Sequence, residues 1–301
     1  MLDYKLVEAL AAVVREGGFE KAARTLHITQ SAVSQRVRLL EEQTGRILLV
    51  RATPPAPTPA GQRMLRHYEQ VRLLEGELDQ GGDAAPGFTT LAVGVNADSL
   101  ATWFLPALTP FLHERRVLLD LRVDDQDQTH ALLRDGEVLG CVSSRGEPFQ
   151  GCRCTGLGCM DYRIYATPAF AARWFPHGVT GAAARRAPFL VFNRKDAVLH
   201  LMLERVLGQR PDDLHIFWLP TSEGFATAIA AGLACGVLPD QQAAPFLADG
   251  RMVDVAPGVV EPVRLFWHRW NLDSSLLRDF STAMETGAAP LLRQEEAPQP
   301  A

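Results

Sequence analysis

Polar side chains able to read a polyanion crowd into one short stretch of this 301-residue chain. Gln30, Ser31, Ser34, Gln35, Arg36 and Arg38 stand close together, and Arg51 follows a little further on. Gln and Arg offer paired hydrogen-bonding groups that match base edges, while Ser and Arg grip phosphate oxygens. Residues 19–66 hold eight Lys and Arg against three Glu, a local excess of positive charge in a chain whose formal net charge is -5. A surface arginine by itself signifies only a solvated charge. Clustered on one segment of an otherwise acidic chain, the set points to nucleic acid.

A second set of polar residues follows short apolar runs in the remainder of the chain. Leu91 to Val95 leads into Asn96, Asp98, Ser99, Thr102 and Trp103; Leu118 to Val123 leads into Asp124, with Asp125 and Asp127. Further runs end at Ser143, at Asn193 near Asp196, and at Thr221, Ser222 and Glu223. Hydroxyls and helix N–H groups suit a carboxylate, and Asp suits a cation, so the mixture fits an amino acid. Any one of these residues taken alone reads as a helix N-cap. Gathered at strand exits of an α/β sheet, where ligands bind, they read as a site.

Other chemistry finds less support. There is no phosphate loop, no Gly-x-Ser-x-Gly, no paired-His metal motif and no glycine-rich dinucleotide turn, so no catalytic residue, metal ligand or cofactor is expected and the chain does not read as an enzyme. The five cysteines (Cys141, Cys152, Cys154, Cys159 and Cys235) are odd in number and read as free thiols. Cys152-Arg153-Cys154 with Cys159 leaves a thiol switch as an alternative, weakened because only Arg153 and Arg163 stand near to favour a thiolate. No apolar run approaches the roughly 20 residues that span a bilayer, and no signal-type core opens the chain. A cytoplasmic location with no membrane partner is the expectation.

The elements that must position these residues follow from periodicity. Leu6, Leu10, Val13 and Val14 recur at helical spacing up to Gly17-Gly18. A short helix from Glu20 to Leu26 carries the small Ala22 and Ala23. A third helix, capped by Ser31, turns Val33, Val37, Leu39 and Leu40 inward and the polar set outward, a helix-turn-helix pattern. Beyond residue 80, Gly81 to Gly87 reads as a break. Strands are expected at Leu91 to Val95, Leu118 to Val123, Leu139 to Ser143, Phe189 to Phe192, Ile216 to Leu219, Cys235 to Leu238 and Leu265 to Trp267, with helices between them. The fold class is therefore multidomain α+β.

Phe19 to Arg51 resembles the N-terminal signature of the LysR-type regulators, and the likeness extends from Tyr4 to about Ala283. It implies a winged helix-turn-helix over 1–58, a linker and dimerisation helix over 59–80, a hinge over 81–90 and an effector domain over 91–301. That domain would resemble periplasmic binding proteins, with subdomain I at about 91–164 and 268–290, subdomain II at about 165–267, and chain crossings near 165 and 268. Leu48 to Thr58 would be the wing, short and stiff because of its prolines. Leu65, Val71, Leu74 and Leu78 would line the linker helix. Two departures stand out: His27 where many helix-turn-helix proteins place glycine, and a wing whose best DNA contact is Arg51. Val95 to Leu108 and Leu265 to Trp270 are similar to the arginine- and lysine-responsive branch, described also as chromosome-initiation inhibitors. The resemblance implies double-stranded DNA with an inverted-repeat operator, a homodimer or homotetramer, RNA polymerase as partner, and control of a basic amino-acid exporter gene. An effector-independent architectural DNA protein is a further alternative, but it leaves the α/β domain without a role.

Overall fold

The computed structural model describes residues 2–79, 87–124, 129–194 and 196–294. Three helices open it: α1 (Tyr4–Glu16), α2 (Phe19–Thr25) and α3 (Gln30–Thr44). Leu10, Val13, Ala22, Val33, Val37 and Leu40 close a common core among them. Gly17 ends α1 in the left-handed region at φ 70°, a conformation that a side chain resists. The turn between α2 and α3 needs the same conformation at His27, φ 53°. A non-glycine residue there costs roughly 1–2 kcal/mol, which the packing on either side offsets. The cap of α3 is Thr29, whose Oγ1 accepts from Ala32 N at 3.2 Å, two residues before the expected Ser31. Leu39, expected inward, is 41% exposed, because it lies off the Val33, Val37, Leu40 stripe.

The wing is a ladder of β1 (Leu49–Val50) and β2 (Ala56–Pro57), as short as its prolines allow. Thr58 closes it: its N–H donates to Leu48 O, its Oγ1 donates to Ile47 O, and the same Oγ1 accepts from Gly61 N. The chain then enters α4 (Pro59–Asp79). On this helix Tyr68 is buried with the N-terminal core and Leu73 with the core of the following domain. Leu65 is partly buried against the N-terminal core and Leu74 is exposed; the side chain of Leu78 and the break at Gly81 lie outside the described residues.

The larger domain runs β3 (Thr89–Asn96), α5 (Ala97–Ala101), α6 (Phe104–Glu114), β4 (Val117–Asp124), α7 (Thr129–Asp135), β5 (Gly140–Ser143) and β6 (Cys152–Ala166). It continues through α8 (Pro168–Trp174), α9 (Gly181–Ala184), β7 (Pro188–Val191), α10 (Val198–Leu207), β8 (His215–Trp218), α11 (Ser222–Ala230), β9 (Gly236–Pro239), α12 (Asp240–Ala248), β10 (Val253–Asp254), β11 (Glu261–Trp270) and α13 (Ser275–Ala288). The main sheet has the order β10-β6-β11-β5-β3-β4, with β9 also on β6; β7 and β8 form a parallel pair of their own. Two subdomains result. One core gathers Leu91, Trp103, Leu133, Trp267 and Phe280; the other cores gather Phe189, Met202 and Cys235, and Tyr165, Ile229 and Leu238.

The expected strands are present within a few residues of their expected ends. Strand β6 was not expected, since Gly156, Gly158 and alternating cysteines mask its period. It is fifteen residues long and pairs antiparallel with β11 from Glu261↔Tyr162 to Trp270↔Cys152. These two strands carry the chain between subdomains. Strand β11 pairs with β5 from Phe266 to Arg269. No helix among the described residues is long and apolar enough to cross a membrane.

Candidate functional site

Helix α3 presents one polar flank. Val33, Val37 and Leu40 are buried, so at about 100° per residue the opposite side is set by their spacing. Gln30, Ser31, Gln35 and Arg38 are exposed, and Ser34 and Arg36 are half-buried beside the core stripe. Arg38 Nε donates to Glu42 Oε1 at 3.0 Å, so part of its charge is spent along the helix. Arg51 is exposed just past β1. Glu41, which sequence reasoning missed, braces the wing: its Oε1 accepts from Leu48 N at 2.8 Å and Leu49 N at 3.2 Å. This arrangement of helix, wing and exposed cationic groups has the shape of a major-groove reader.

A cleft of about 630 Å³ lies at the exits of β3 and β5, where the subdomains face each other. Asp98 sits on α5, because β3 ends at Asn96 and the chain turns at once into helix. Its Oδ2 accepts from Tyr162 OH at 2.8 Å and its Oδ1 from Ser222 Oγ at 2.5 Å. Gln242 Nε2 donates to the same Ser222 oxygen at 2.9 Å. A chain of hydrogen bonds therefore joins α5, the crossing strand β6 and the helices of subdomain II. Burial, then the charge of Asp98 and the bond to it, push the Tyr162 phenol well above its ordinary range, so it donates. Asn96 is 4% exposed, and its Oδ1 receives no hydrogen bond. Asp196, Glu261 and Arg264 also line the cleft, with Leu190, Phe192, Val237, Pro262 and Val263 as its apolar wall.

Of the residues singled out from sequence, Asn96, Asp98 and Ser222 come together here. Others are turned away. Ser99 is fully buried with its Oγ 3.9 Å from Met160 Sδ, and Thr102 Oγ1 donates to Asp98 O at 2.6 Å within its own turn. Trp103 is 1% exposed in the core of subdomain I, since an indole this large fills the interior rather than the rim. Ser143 is buried and accepts from Arg145 N, and its neighbour Ser144 lines the cleft. Asn193 accepts from Asp196 N at 3.2 Å, leaving the lining to Asp196. Thr221 caps α11 through Gly224 N, and Glu223 is exposed outside the cleft. Asp124 pairs in register with Asn96 at the end of β4; its side chain, with Asp125 and Asp127, lies outside the described residues.

Tyr162, Glu261 and Arg264 were missed. They lie on the crossing strands, where sequence gives no exit signal. The thiols give no support to a reactive site: burial pushes Cys141 and Cys235 upward, Cys152 up to about 11 despite nearby Arg66, and Cys154 upward too.

Comparison with known proteins finds relatives for both parts of the chain. Residues 4–62 match the bacterial regulatory helix-turn-helix protein, lysR family, and residues 87–289 match the LysR substrate binding domain. The HTH-type transcriptional regulator ArgP of Pseudomonas aeruginosa is 48% identical over 92% of this chain and 93% of its own. The crystal structure of ArgP from Mycobacterium tuberculosis superposes with a TM-score of 0.86 at 39% identity, covering 98% of this chain and 100% of that one. Full-length LysG from Corynebacterium glutamicum, solved with bound effector Arg, gives 0.76 at 34% identity over 97% of this chain and 100% of its own.

Proposed function

The chain belongs to the LysR family of bacterial transcription regulators, and we propose that its effector is a basic amino acid, arginine or lysine, held in the cleft between the subdomains. The observation that carries this reading is the surplus of acceptors. Asp98, Asp196 and Glu261 line the cleft with Arg264, and the buried Asn96 Oδ1 lacks a donor. A buried acceptor left without a partner costs about 1–3 kcal/mol, which a ligand N–H offsets. The apolar wall of Leu190, Phe192, Val237 and Val263 suits an aliphatic stem. The bound Arg of C. glutamicum LysG supports the same ligand class. No cofactor other than this effector is invoked.

Two copies paired through α4 would set two α3 helices in successive major grooves of an inverted repeat, about 34 Å apart. Two dimers would form a tetramer, and the effector would change the angle between them, altering DNA bending and the access of RNA polymerase in the cytoplasm. The target gene in this reading is an exporter of basic amino acids. Calorimetric titration of the full-length protein with arginine and lysine, followed by operator binding titrated against the full set of protein amino acids, tests the proposal. Heat and a shifted operator affinity with one or both are expected; no heat with either removes the ligand assignment.

A further inference from the structure

We propose that Glu261 is the residue by which the cleft reads positive charge on the effector's side chain, with the Asn96 amide oxygen as its companion acceptor. The inference rests on the basic-amino-acid reading above and assigns the selecting residue within it. Of the carboxylates that line the cleft, two are engaged by the fold. Asp98 accepts from a hydroxyl of the crossing strand and a hydroxyl of subdomain II, and so holds the two walls in register. Asp196 accepts from Phe192 N at 3.3 Å and Val198 N at 2.9 Å, and so fixes the loop that leads into α10.

Glu261 is different. Its Oε2 is buried and forms an ion pair with Arg205 Nη2 at 2.8 Å, but it takes no hydrogen bond from a backbone or hydroxyl group. Arg205 also directs Nη1 to Val260 O at 3.1 Å. The carboxylate is therefore held by a side-chain cation, which a cationic group on the ligand would displace. Asn96 supplies the second, independent sign. It stands at the end of β3 in the same cleft, 4% exposed, with an acceptor oxygen that nothing in the protein fills. A guanidinium or ammonium carries several donors and no acceptor, the complement of this pair. Pro262 and Val263 continue the cleft lining along β11 from Glu261, which gives an aliphatic stem apolar surface beside its charged end. The position also explains why a carboxylate is useful here: paired with the half-exposed Arg205, it can exchange that cation for the ligand's.

The test compares arginine with citrulline, which keeps the length and the planar end but carries no charge there. Calorimetric titrations use the full-length wild type, Glu261→Gln and Arg205→Ala, with operator binding in the absence of ligand as the check on folding. Wild type is expected to prefer arginine. Glu261→Gln is expected to lose about tenfold or more in arginine affinity while citrulline is little changed, so that the preference collapses. Arg205→Ala removes a competing cation from Glu261 and is expected to widen the ratio of arginine to citrulline affinity, a readout that stands if the first variant misfolds. A Glu261→Gln protein that keeps the preference, or that loses both ligands equally, overturns the assignment, as does an unchanged ratio in Arg205→Ala. A wild type that binds neither arginine nor lysine overturns the functional reading itself, and this assignment with it.

Discussion

The surface that faces DNA and the cleft that faces a ligand are assembled in opposite ways. Gln30, Ser34, Gln35, Arg36 and Arg38 share one helix, and their relative placement follows from helical geometry once Val33, Val37 and Leu40 are buried. Asn96, Tyr162, Ser222 and Glu261 come from separate elements, and only the pairing of β6 with β11 and the closure of the subdomains bring them into one cleft. A locally encoded surface tolerates changes elsewhere in the chain. A surface encoded by topology depends on the packing of the whole domain.

The largest effect that bears on this contrast is expected at Gly61. A Cβ there would stand 2.0 Å from Leu48 O and 3.3 Å from Pro57 Cβ, so Gly61→Ala must separate the wing from α4. A loss of about 3 kcal/mol or more in the N-terminal unit is expected. Operator binding by fluorescence anisotropy should vanish while the effector titration is unchanged. Gly287→Ala is the counterpart, with a Cβ 2.2 Å from Ala107 O in the packing of α13 on α6. It should abolish effector binding and leave the helical unit folded. If either substitution destroys both activities, the two regions are not separately encoded and the contrast breaks.

The same contrast accounts for what the sequence could reveal. Leu6, Leu10 and Val13 announce α1, and Val33 with Val37 announces α3, because each helix carries its own period. Seven strands of the larger domain were legible as apolar runs. Strand β6 was not, since Gly156, Gly158 and polar residues alternate along its edge while Leu157, Met160 and Tyr162 go inward. The site suffered in proportion. Asn96 and Asp98 follow a visible strand, but Tyr162 and Glu261 owe their place to cross-strand register, which no local pattern states. Trp103 and Ser99 differ the other way: close in sequence to the cleft-lining Asp98, they face the core of subdomain I.

Two smaller effects sharpen the contrast from each side. Asp98→Asn keeps the shape of the link to Tyr162 and Ser222 but removes its charge, and roughly tenfold weaker effector binding is expected, about 1.4 kcal/mol. Operator affinity without ligand should not move; a parallel loss in both assays would mean that the cleft supports the DNA-binding unit. Arg36→Ala is expected to weaken operator binding several-fold with the effector titration unchanged. If Arg36 neutralises one phosphate, the slope of log affinity against log salt should fall by about 0.9. An unchanged slope would reassign Arg36 to base reading or to support of α3.

The smallest effect belongs to the place where the two regions meet. Near its C-terminal end α4 carries Glu77, whose carboxylate accepts from Ser274 Oγ, from Ser275 N at 3.2 Å and from Leu276 N at 2.9 Å at the start of α13. Arg66, on the same helix, lies over the Trp270 ring at 5.2 Å. Burial of Glu77 acts to raise its pKa, but the hydrogen bonds from Ser274, Leu276 and Ser275 outweigh it and hold the group below its ordinary value. A carboxyl depressed on folding stabilises the folded state at any pH above the unfolded value of 4.5, and that stability fades as pH falls through the lower, folded value. Glu77→Gln is therefore expected to cost on the order of 1 kcal/mol or less at pH 7, because water reaches one side of the carboxylate. Thermal unfolding from pH 7 downward should show the wild type and the variant converging as pH falls below 4.5. A gap that persists in acid would make Glu77 a packing residue, and the joint between the locally built and the topologically built regions would then rest on Arg66, Leu73 and Trp270.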